Sequence, residues 1–180
     1  VSLQVLFALR ATHGVSAEAR AIHRDLSPRN ILVDPSGRVK VIDFGLAKEN
    51  PRITAVLTLK GETFGTPGCI APEQLTEAAE VDHRADLFAL GRTLAAGVQN
   101  RRPEHADISQ LIEPWKSICD KLARYVATER HSSAEDAICD LLTKFSAAGI
   151  FPSDLILHQQ EFSRWPSPPQ AWTSARTAYL

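Results

Sequence analysis

The sequence predicts a mainly α-helical fold, α+β overall, with one short β-hairpin. Two β-branched runs, residues 31–33 and 39–42, stand on either side of the turn sequence Asp34-Pro35-Ser36-Gly37 and predict the hairpin. Four longer stretches have the apolar spacing of helices: residues 1–13, 85–97, 115–126 and 133–147. Helices therefore outweigh strands, and the hairpin separates the first helix from the other three.

The first predicted helix begins with an apolar run, residues 1–9, and ends near Gly14. No basic residues precede this run, and it is too short to cross a bilayer, so it predicts a buried helix and not a signal peptide or a membrane segment. Residues 85–97 are apolar on nearly every side, which is typical of a fully buried helix. The last two predicted helices are amphipathic and should each bury one face.

The composition is that of one ordinary globular domain. The 180 residues include 44% hydrophobic and 23% charged residues and carry a formal net charge of −1, so neither nucleic acid nor an anionic membrane is an expected partner. The three cysteines, Cys69, Cys119 and Cys139, lack CxxC spacing and predict free thiols in a cytoplasmic protein. Met is absent even at position 1, so Val1 is expected to lie inside a longer gene product or to mark a truncated chain.

Three motifs that carry polar side chains follow one another in the first half of the chain. They are His23-Arg24-Asp25-Leu26-Ser27-Pro28-Arg29-Asn30, Asp43-Phe44-Gly45 and Ala71-Pro72-Glu73. A carboxylate such as Asp25 can accept the hydrogen bond of a substrate hydroxyl and aim it at a phosphate. The hairpin would bring Asn30 and Asp43 to neighbouring strand ends, and amide and carboxylate oxygens are ligands that suit Mg²⁺.

In order and spacing, these motifs resemble the catalytic loop, magnesium loop and activation-segment end of eukaryotic-like (Hanks-type) serine/threonine protein kinases of the bacterial type. The resemblance covers residues 1–147 and implies the large, C-terminal lobe of the protein-kinase fold, with the hairpin carrying the catalytic and magnesium loops. It implies ATP and Mg²⁺ as cofactors and Ser or Thr hydroxyls of a protein as substrate. Residues 148–180 contain several prolines, match no pattern and are expected to form a poorly ordered tail.

Part of a complete kinase has no counterpart in this sequence. No Gly-rich phosphate loop and no strand-borne Lys precede the motifs, so the chain is expected to be a C-lobe without its N-lobe and to be inactive alone. The alternative is a catalytically inactive, pseudokinase-like or truncated interaction module, whose partner would be the missing N-lobe or another kinase-like surface. A small-molecule phosphotransferase of the aminoglycoside type is disfavoured, because Arg24 and residues 65–73 do not fit its pattern.

The resemblance implies catalytic roles for Asp25, Arg24, Asn30 and Thr66. Asp25 would be the base or orienter of the substrate hydroxyl, and the hydroxyl of Thr66 would bond to it. Arg24 marks a kinase controlled by a negative charge on its activation segment. Candidate sources of that charge are the possible phosphoacceptors Thr54, Thr58 and Thr63 and the fixed charge of Glu62.

The cofactor site implied by the resemblance consists of Asn30, Leu32 and Asp43. Asn30 and Asp43 would bind the metal ion, and Leu32 would touch the adenine ring, although a bland core leucine fits the sequence nearly as well. Ser27 stands where these kinases usually have Lys, so some stabilisation of transition-state charge should be lost. Cys69 stands where Tyr is usual, and a small apolar side chain would be tolerated there.

The remaining assignments concern support of the site. His23 and Phe44 belong to the first two motifs and are expected to hold them in place. The resemblance implies that Asp86, near the start of a buried helix, accepts backbone N–H bonds from the catalytic loop around His23, which would satisfy a charge that is costly there. The alternative is an ordinary charge at a helix N-terminus, favoured by the helix dipole. Arg130 would pair with Glu73 in a buried ion pair, the alternative being an Arg exposed to solvent.

Overall fold

A computed structural model of the chain describes residues 1–14, 21–44, 65–76 and 81–150. It contains the helices α1 (Ser2–His13), α2 (Arg84–Gln99), α3 (Trp115–Leu122) and α4 (Ala134–Ala147), and the strands β1 (Ile31–Val33) and β2 (Val39–Val41). Short 3-10 turns lie between them at Pro28–Asn30, Pro72–Leu75, Pro103–His105, Ile108–Gln110 and Ala127–Glu129. The predicted mainly helical fold with one short hairpin is therefore confirmed.

Two helices have different ends from those predicted. α3 stops at Leu122, a turn earlier than expected, and the carbonyl groups of Arg124 and Tyr125 accept hydrogen bonds from Arg130. Ala123, the residue after the helix, has φ −96° and ψ 25°, so the backbone leaves the helical path there. α2 is longer than predicted at both ends and stops where Asn100 takes a left-handed conformation with φ 51°.

The hairpin pairs β1 with β2 in antiparallel register, with Ile31 opposite Val41. Asp34 closes the turn, since its Oδ1 accepts hydrogen bonds from the hydroxyl and N–H of Ser36 and from the N–H of Arg38. These bonds lower the pKa of the Asp34 carboxyl, and the bond from the Ser36 hydroxyl has the largest effect. The local sequence thus fixes the turn, as the Asp-Pro-Ser-Gly pattern predicted.

Gln4 of α1 fixes the position of the hairpin against the helices. Its Oε1 accepts a hydrogen bond from the backbone N–H of Val39 at 2.8 Å, and its Nε2 donates to the carbonyl of Gly37 at 3.0 Å. A two-stranded hairpin is only marginally stable by itself, so this attachment to α1 matters for the loops at both ends of the hairpin.

The core is one apolar cluster with side chains from all four helices. α1 packs against α4, and α2 packs against α3. α2 is buried at ten of its 16 positions, which agrees with the prediction of a buried helix. Burying one large side chain stabilises the fold by about 1.5–3 kcal/mol. Fully buried ones are Leu3, Leu6, Leu9, Leu87, Leu90, Ile118, Leu122, Ile138 and Leu141.

Gly91 allows the close approach of α2 to α3. A Cβ at this position would lie 2.8 Å from the Cβ of Leu122 and 3.1 Å from the carbonyl oxygen of Cys119. We expect Gly91→Ala to destabilise the chain by about 1–3 kcal/mol through overpacking, less the roughly 1 kcal/mol that Ala gains in helix propensity. Urea unfolding followed by circular dichroism measures the change.

Gly97 provides the matched control in the same helix, since among the described residues no atom beyond the helix's own backbone and the two chain neighbours lies within 4 Å of a Cβ built there. Gly97→Ala should stabilise the chain by about 0.5–1 kcal/mol, because it gains helix propensity without a clash. If Gly91→Ala proved as stable as Gly97→Ala, α2 and α3 would not be in rigid contact at this point.

Three further findings bear on the sequence predictions. Cys69, Cys119 and Cys139 are free, as expected. In the part of the chain that the structure describes, no helix is both long and apolar enough to cross a membrane. The candidate activation-segment positions Thr54, Thr58, Thr63 and Glu62, and residues 151–180 of the predicted tail, lie outside the described residues.

Candidate active site

The loop of residues 23–30 joins the helical part to β1 and is fixed by Asp86 of α2. The two carboxylate oxygens of Asp86 accept hydrogen bonds from the backbone N–H groups of His23 and Arg24, both at 2.8 Å. Arg24 has φ 67°, a left-handed conformation that is rare for residues other than Gly, Asn and Asp. Such a conformation persists only where its surroundings hold it, and Asp86 supplies part of that hold. The predicted contact is present.

Asp25 follows this left-handed residue and is hydrogen-bonded from two sides. Its Oδ1 accepts from the backbone N–H of Thr66 at 3.2 Å and from the Thr66 hydroxyl at 3.4 Å. Asn30 donates its Nδ2 to the Asp25 carbonyl at 2.8 Å and to Asp25 Oδ2 at 3.4 Å. The carboxylate is only partly buried, so it is held in orientation and is also accessible.

Asn30 and Asp43 are brought together by the hairpin. The backbone N–H of Ile42 donates to the Asn30 carbonyl at 3.0 Å, and Asp43 is the next residue along the chain. Asp43 is exposed and has φ 59°, so the chain turns sharply at the end of β2. Because Nδ2 of Asn30 binds Asp25, the amide oxygen is the atom through which Asn30 could bind a cation.

As ligands for a metal ion, the side chains of Asn30 and Asp43 would be a sparse set. Within the described ranges, no three His, Cys, Asp or Glu residues are grouped so that they could hold a metal. One amide and one carboxylate suit Mg²⁺, which usually keeps several waters and takes its other ligands from substrate phosphates. The residues therefore fit a cation that arrives with a nucleotide.

His23 and Phe44 connect the two loops. The ring Nε2 of His23 donates to the carbonyl of Ile42 at 2.8 Å, and the rings of His23 and Phe44 lie 4.6 Å apart. His23 is almost fully buried. The predicted support is thus a direct contact between the loop that holds Asp25 and the strand end that holds Asp43.

Leu32 does not belong to the core. It is 50% exposed, and its neighbour Val33 is 52% exposed. The alternative of a core leucine is therefore wrong, because Leu32 lies on the face of the hairpin opposite to that of Ile31 and Val41, which pack against the core. The Leu32 side chain is available to contact a ligand or another part of a larger protein.

The segment 65–76 is anchored by contacts that the sequence did not predict. Gln74 donates its Nε2 to the carbonyl of Arg24 at 2.8 Å, and Arg92 donates its Nε to the carbonyl of Gly68 at 3.1 Å. The Sγ of Cys69 lies 3.6 Å from the hydroxyl oxygen of Thr93, and burial raises the pKa of this thiol, so it stays protonated and unreactive. The small side chain is accommodated, as expected.

Glu73 and Arg130 form the predicted ion pair. Two hydrogen bonds of 2.6 and 2.8 Å join the carboxylate to the guanidinium, which is fully buried, while the carboxylate side chain is 14% exposed. Arg130 also donates to the carbonyls of Arg84, Arg124 and Tyr125 at 2.9, 2.7 and 3.1 Å. The alternative of an exposed Arg is wrong, because one guanidinium joins α2, the segment 65–76 and the turn after α3.

A comparison with protein families matches residues 1–148 to the protein kinase domain. This chain belongs to the protein kinase family. The match agrees with the order of the motifs and with the contacts around Asp25, Asp86 and Arg130 that hold this kinase domain together.

Several bacterial kinases are similar in sequence. The DNA damage-responsive serine/threonine-protein kinase RqkA of Deinococcus radiodurans is 46% identical over 88 residues, which cover 49% of this chain and 13% of RqkA. The serine/threonine-protein kinase pkn3 of Myxococcus xanthus is 45% identical over 94 residues, 49% of this chain and 16% of pkn3. A Bifidobacterium longum protein described as probable serine/threonine-protein kinase PknB is 31% identical over 163 residues, 79% of this chain and 23% of that protein. The chain thus spans less than a quarter of each relative.

Ser27 of this kinase domain stands where kinases usually have Lys, and the structure shows what this difference changes. Its side chain is fully buried, and among the described residues its hydroxyl has no hydrogen-bond partner. A buried hydroxyl so close to Asp25 cannot extend toward a phosphate as a Lys would. The positive charge that most kinases place there is therefore missing at this position.

Proposed function

We propose that residues 1–147 form the large lobe of a bacterial-type serine/threonine protein kinase, which transfers the γ-phosphate of ATP to protein hydroxyls when a small lobe is present. The single observation that carries this proposal is the environment of Asp25. Its carboxylate is oriented by Thr66 and Asn30 in a loop that Asp86 holds. A structural surface carboxylate has no need of so many fixed partners.

In this proposal Asp25 accepts the hydrogen bond of the substrate hydroxyl and aims its oxygen at the phosphorus. Thr66 keeps the carboxylate in that orientation. Asn30, through its amide oxygen, and Asp43 would hold Mg²⁺, which supplies charge neutralisation at the phosphates when bound. Leu32, half exposed on the hairpin, would cover one face of the adenine ring.

Protein Ser or Thr is the proposed acceptor, and two observations favour it. Bacterial relatives over much of the chain are named serine/threonine kinases. The hydroxyl of Thr66 lies 3.4 Å from the proposed base, at the edge where a small hydroxyl substrate would approach. ATP as the phosphate donor also agrees with the cytoplasmic location that the free thiols predicted.

We expect the 180-residue chain alone to be inactive in phosphoryl transfer. No Gly-rich loop to cover the phosphates and no strand-borne Lys to bind them precede its catalytic motifs, and phosphoryl transfer depends largely on such positioning. The second candidate function, a non-catalytic interaction module, is favoured by the exposed apolar side chain of Leu32 on the outer face of the hairpin. In a complete kinase the same side chain would be covered by nucleotide and small lobe.

The test compares two proteins for transfer of radioactive phosphate from ATP to a basic protein in the presence of Mg²⁺. One is the 180-residue chain, and the other is the same chain fused behind the part of pkn3 that precedes its matched region. We expect background transfer from the first and Mg²⁺-dependent transfer from the second. Transfer by the single chain would refute its expected inactivity, and a folded but inactive fusion that binds ATP would favour the interaction module.

A further inference from the structure

Arg92 places a positive charge on the buried helix α2. It lies between the buried residues Gly91 and Thr93 and is itself partly buried. Among the described residues, its side chain forms no ion pair, and its hydrogen-bond acceptors are two neutral carbonyl groups. A partly buried cation without a carboxylate partner is costly, so an apolar side chain would suit this position better if packing were its only role.

The guanidinium of Arg92 joins two loops of the chain. Its Nε donates to the carbonyl of Gly68 at 3.1 Å, and its Nη2 donates to the carbonyl of Pro103. Gly68 belongs to the segment 65–76, and Pro103 begins the 3-10 turn Pro103–His105. The planar fork of an Arg side chain holds two acceptors at a fixed separation, which the single amine of a Lys cannot do.

The two loops are in close backbone contact at Gly68. Gly68 has φ 80°, and a Cβ there would lie 2.4 Å from the backbone nitrogen of Glu104 and 2.5 Å from the carbonyl carbon of Pro103. Only a glycine combines this conformation with so close an approach. The bonds of Arg92 therefore hold together two stretches of backbone that touch.

Gly68 is two residues from Thr66, which contacts Asp25. The backbone N–H of Cys69 donates to the Thr66 carbonyl at 2.9 Å, so residues 66–69 form a closed turn. The backbone N–H of Thr66 donates to Asp25 Oδ1 at 3.2 Å. This turn contains no helix or strand, so its position depends on contacts such as the bond from Arg92 to Gly68.

We propose that Arg92 is a positioning residue for the turn of residues 66–69. By fixing Gly68 against the turn Pro103–His105, it keeps Thr66 in the place where it orients the Asp25 carboxylate. The effect on phosphoryl transfer rests on the proposed function, but the effect on the turn does not, so the two can be tested separately.

The test uses three variants of the 180-residue chain: Arg92→Met, Arg92→Lys and the control Arg101→Met. Met keeps much of the length of Arg but has no donor, and Lys keeps the charge on a single nitrogen. Arg101 is exposed, and among the described residues its side chain donates no hydrogen bond, so its replacement removes the same charge without a link between loops. The readout is amide hydrogen exchange of Thr66 and Cys69 by NMR, compared with amides in the middle of α2.

In Arg92→Met, exchange at Thr66 and Cys69 should become about tenfold faster while the α2 amides keep their rates, because hydrogen bonds from a charged donor are lost. Arg92→Lys should speed exchange at least about threefold, since one nitrogen replaces the fork, and Arg101→Met should match the parent.

Three results would overturn the proposal: parent rates at Thr66 and Cys69 in either Arg92 variant, equal acceleration of the α2 amides, or the same acceleration in Arg101→Met. If Arg92→Met does not fold, the comparison of Arg92→Lys with the parent decides.

A second arm measures kinase activity of the fusion protein described above. In Arg92→Met we expect KM for the basic protein to rise and kcat to fall, while the Kd for ATP with Mg²⁺ stays nearly unchanged, because Arg92 contacts none of the proposed nucleotide ligands. Arg101→Met should match the parent. Exchange in the expected order in a fusion that is inactive in every form would keep the positioning role and refute the proposed function instead. Parent-like kcat and KM in an Arg92→Met fusion would overturn the proposal, since the turn would then not position a catalytic group.

Discussion

Asp25→Asn is expected to lower phosphoryl transfer by the fusion protein about 100- to 10,000-fold, the usual contribution of a positioned acid–base group. The substitution keeps the size of the side chain and an oxygen that can accept from Thr66. It removes the negative charge that attracts the substrate hydroxyl proton. The loss should therefore appear in kcat, while the Kd for ATP with Mg²⁺, measured by calorimetry, changes little.

Asp120→Asn is the matched control for this prediction. Asp120 makes an exposed ion pair with Arg124 on the surface of α3, and both side chains are half exposed. The same chemical change there should leave kcat and the unfolding free energy nearly unaltered. An Asp25→Asn fusion that kept a tenth or more of the parent activity would show that Asp25 is not the group that orients the hydroxyl.

The sequence predicted those features of the site that lie within motifs. The hairpin followed from residue types at fixed spacing, and the resemblance to kinases implied the contacts from Asp86 to the loop and the pair of Glu73 with Arg130. Each of these features requires particular residue types, because a tight turn favours Gly and a buried charge needs a partner. Such demands leave a recognisable pattern in a single sequence.

Other contacts could not be predicted in this way. Gln4, His13 and Gln74 are polar residues on helices or turns, and each makes a hydrogen bond with a residue more than 30 positions away along the chain. Nothing in their neighbourhood along the chain distinguishes them from ordinary surface residues. Only the packing of α1 and of the segment 65–76 shows what they bind.

Arg130→Met is expected to destabilise the chain by about 3–5 kcal/mol, which is a large part of the 5–15 kcal/mol typical of a folded domain. Met has a similar length and is apolar, so packing on the Phe88 ring is largely kept. The Glu73 carboxylate would lose its charged partner while remaining mostly buried. The carbonyls of Arg84 and Arg124 would also lose a donor.

The neighbouring residue Arg124 supplies the control. Arg124→Met removes an ion pair with Asp120 of the same 2.6 Å length, but in solvent, and should cost no more than about 1 kcal/mol. Urea unfolding of both variants by circular dichroism gives the comparison. Equal effects would mean that burial of the Glu73–Arg130 pair does not determine its contribution.

A double variant separates two effects of Arg130→Met: the lost attraction between Arg130 and Glu73, and the cost of leaving the Glu73 charge buried without a partner. In Arg130→Met, much of the expected loss comes from Glu73 left buried without a partner. Glu73→Gln in the same chain removes that charge, so the double variant should be more stable than Arg130→Met alone, although Glu73→Gln by itself is destabilising. Such opposite effects are the coupling expected of residues in direct contact. If the two substitutions simply added, the buried charge would not be the source of the instability, and the lost bonds to the three backbone carbonyls would account for it instead.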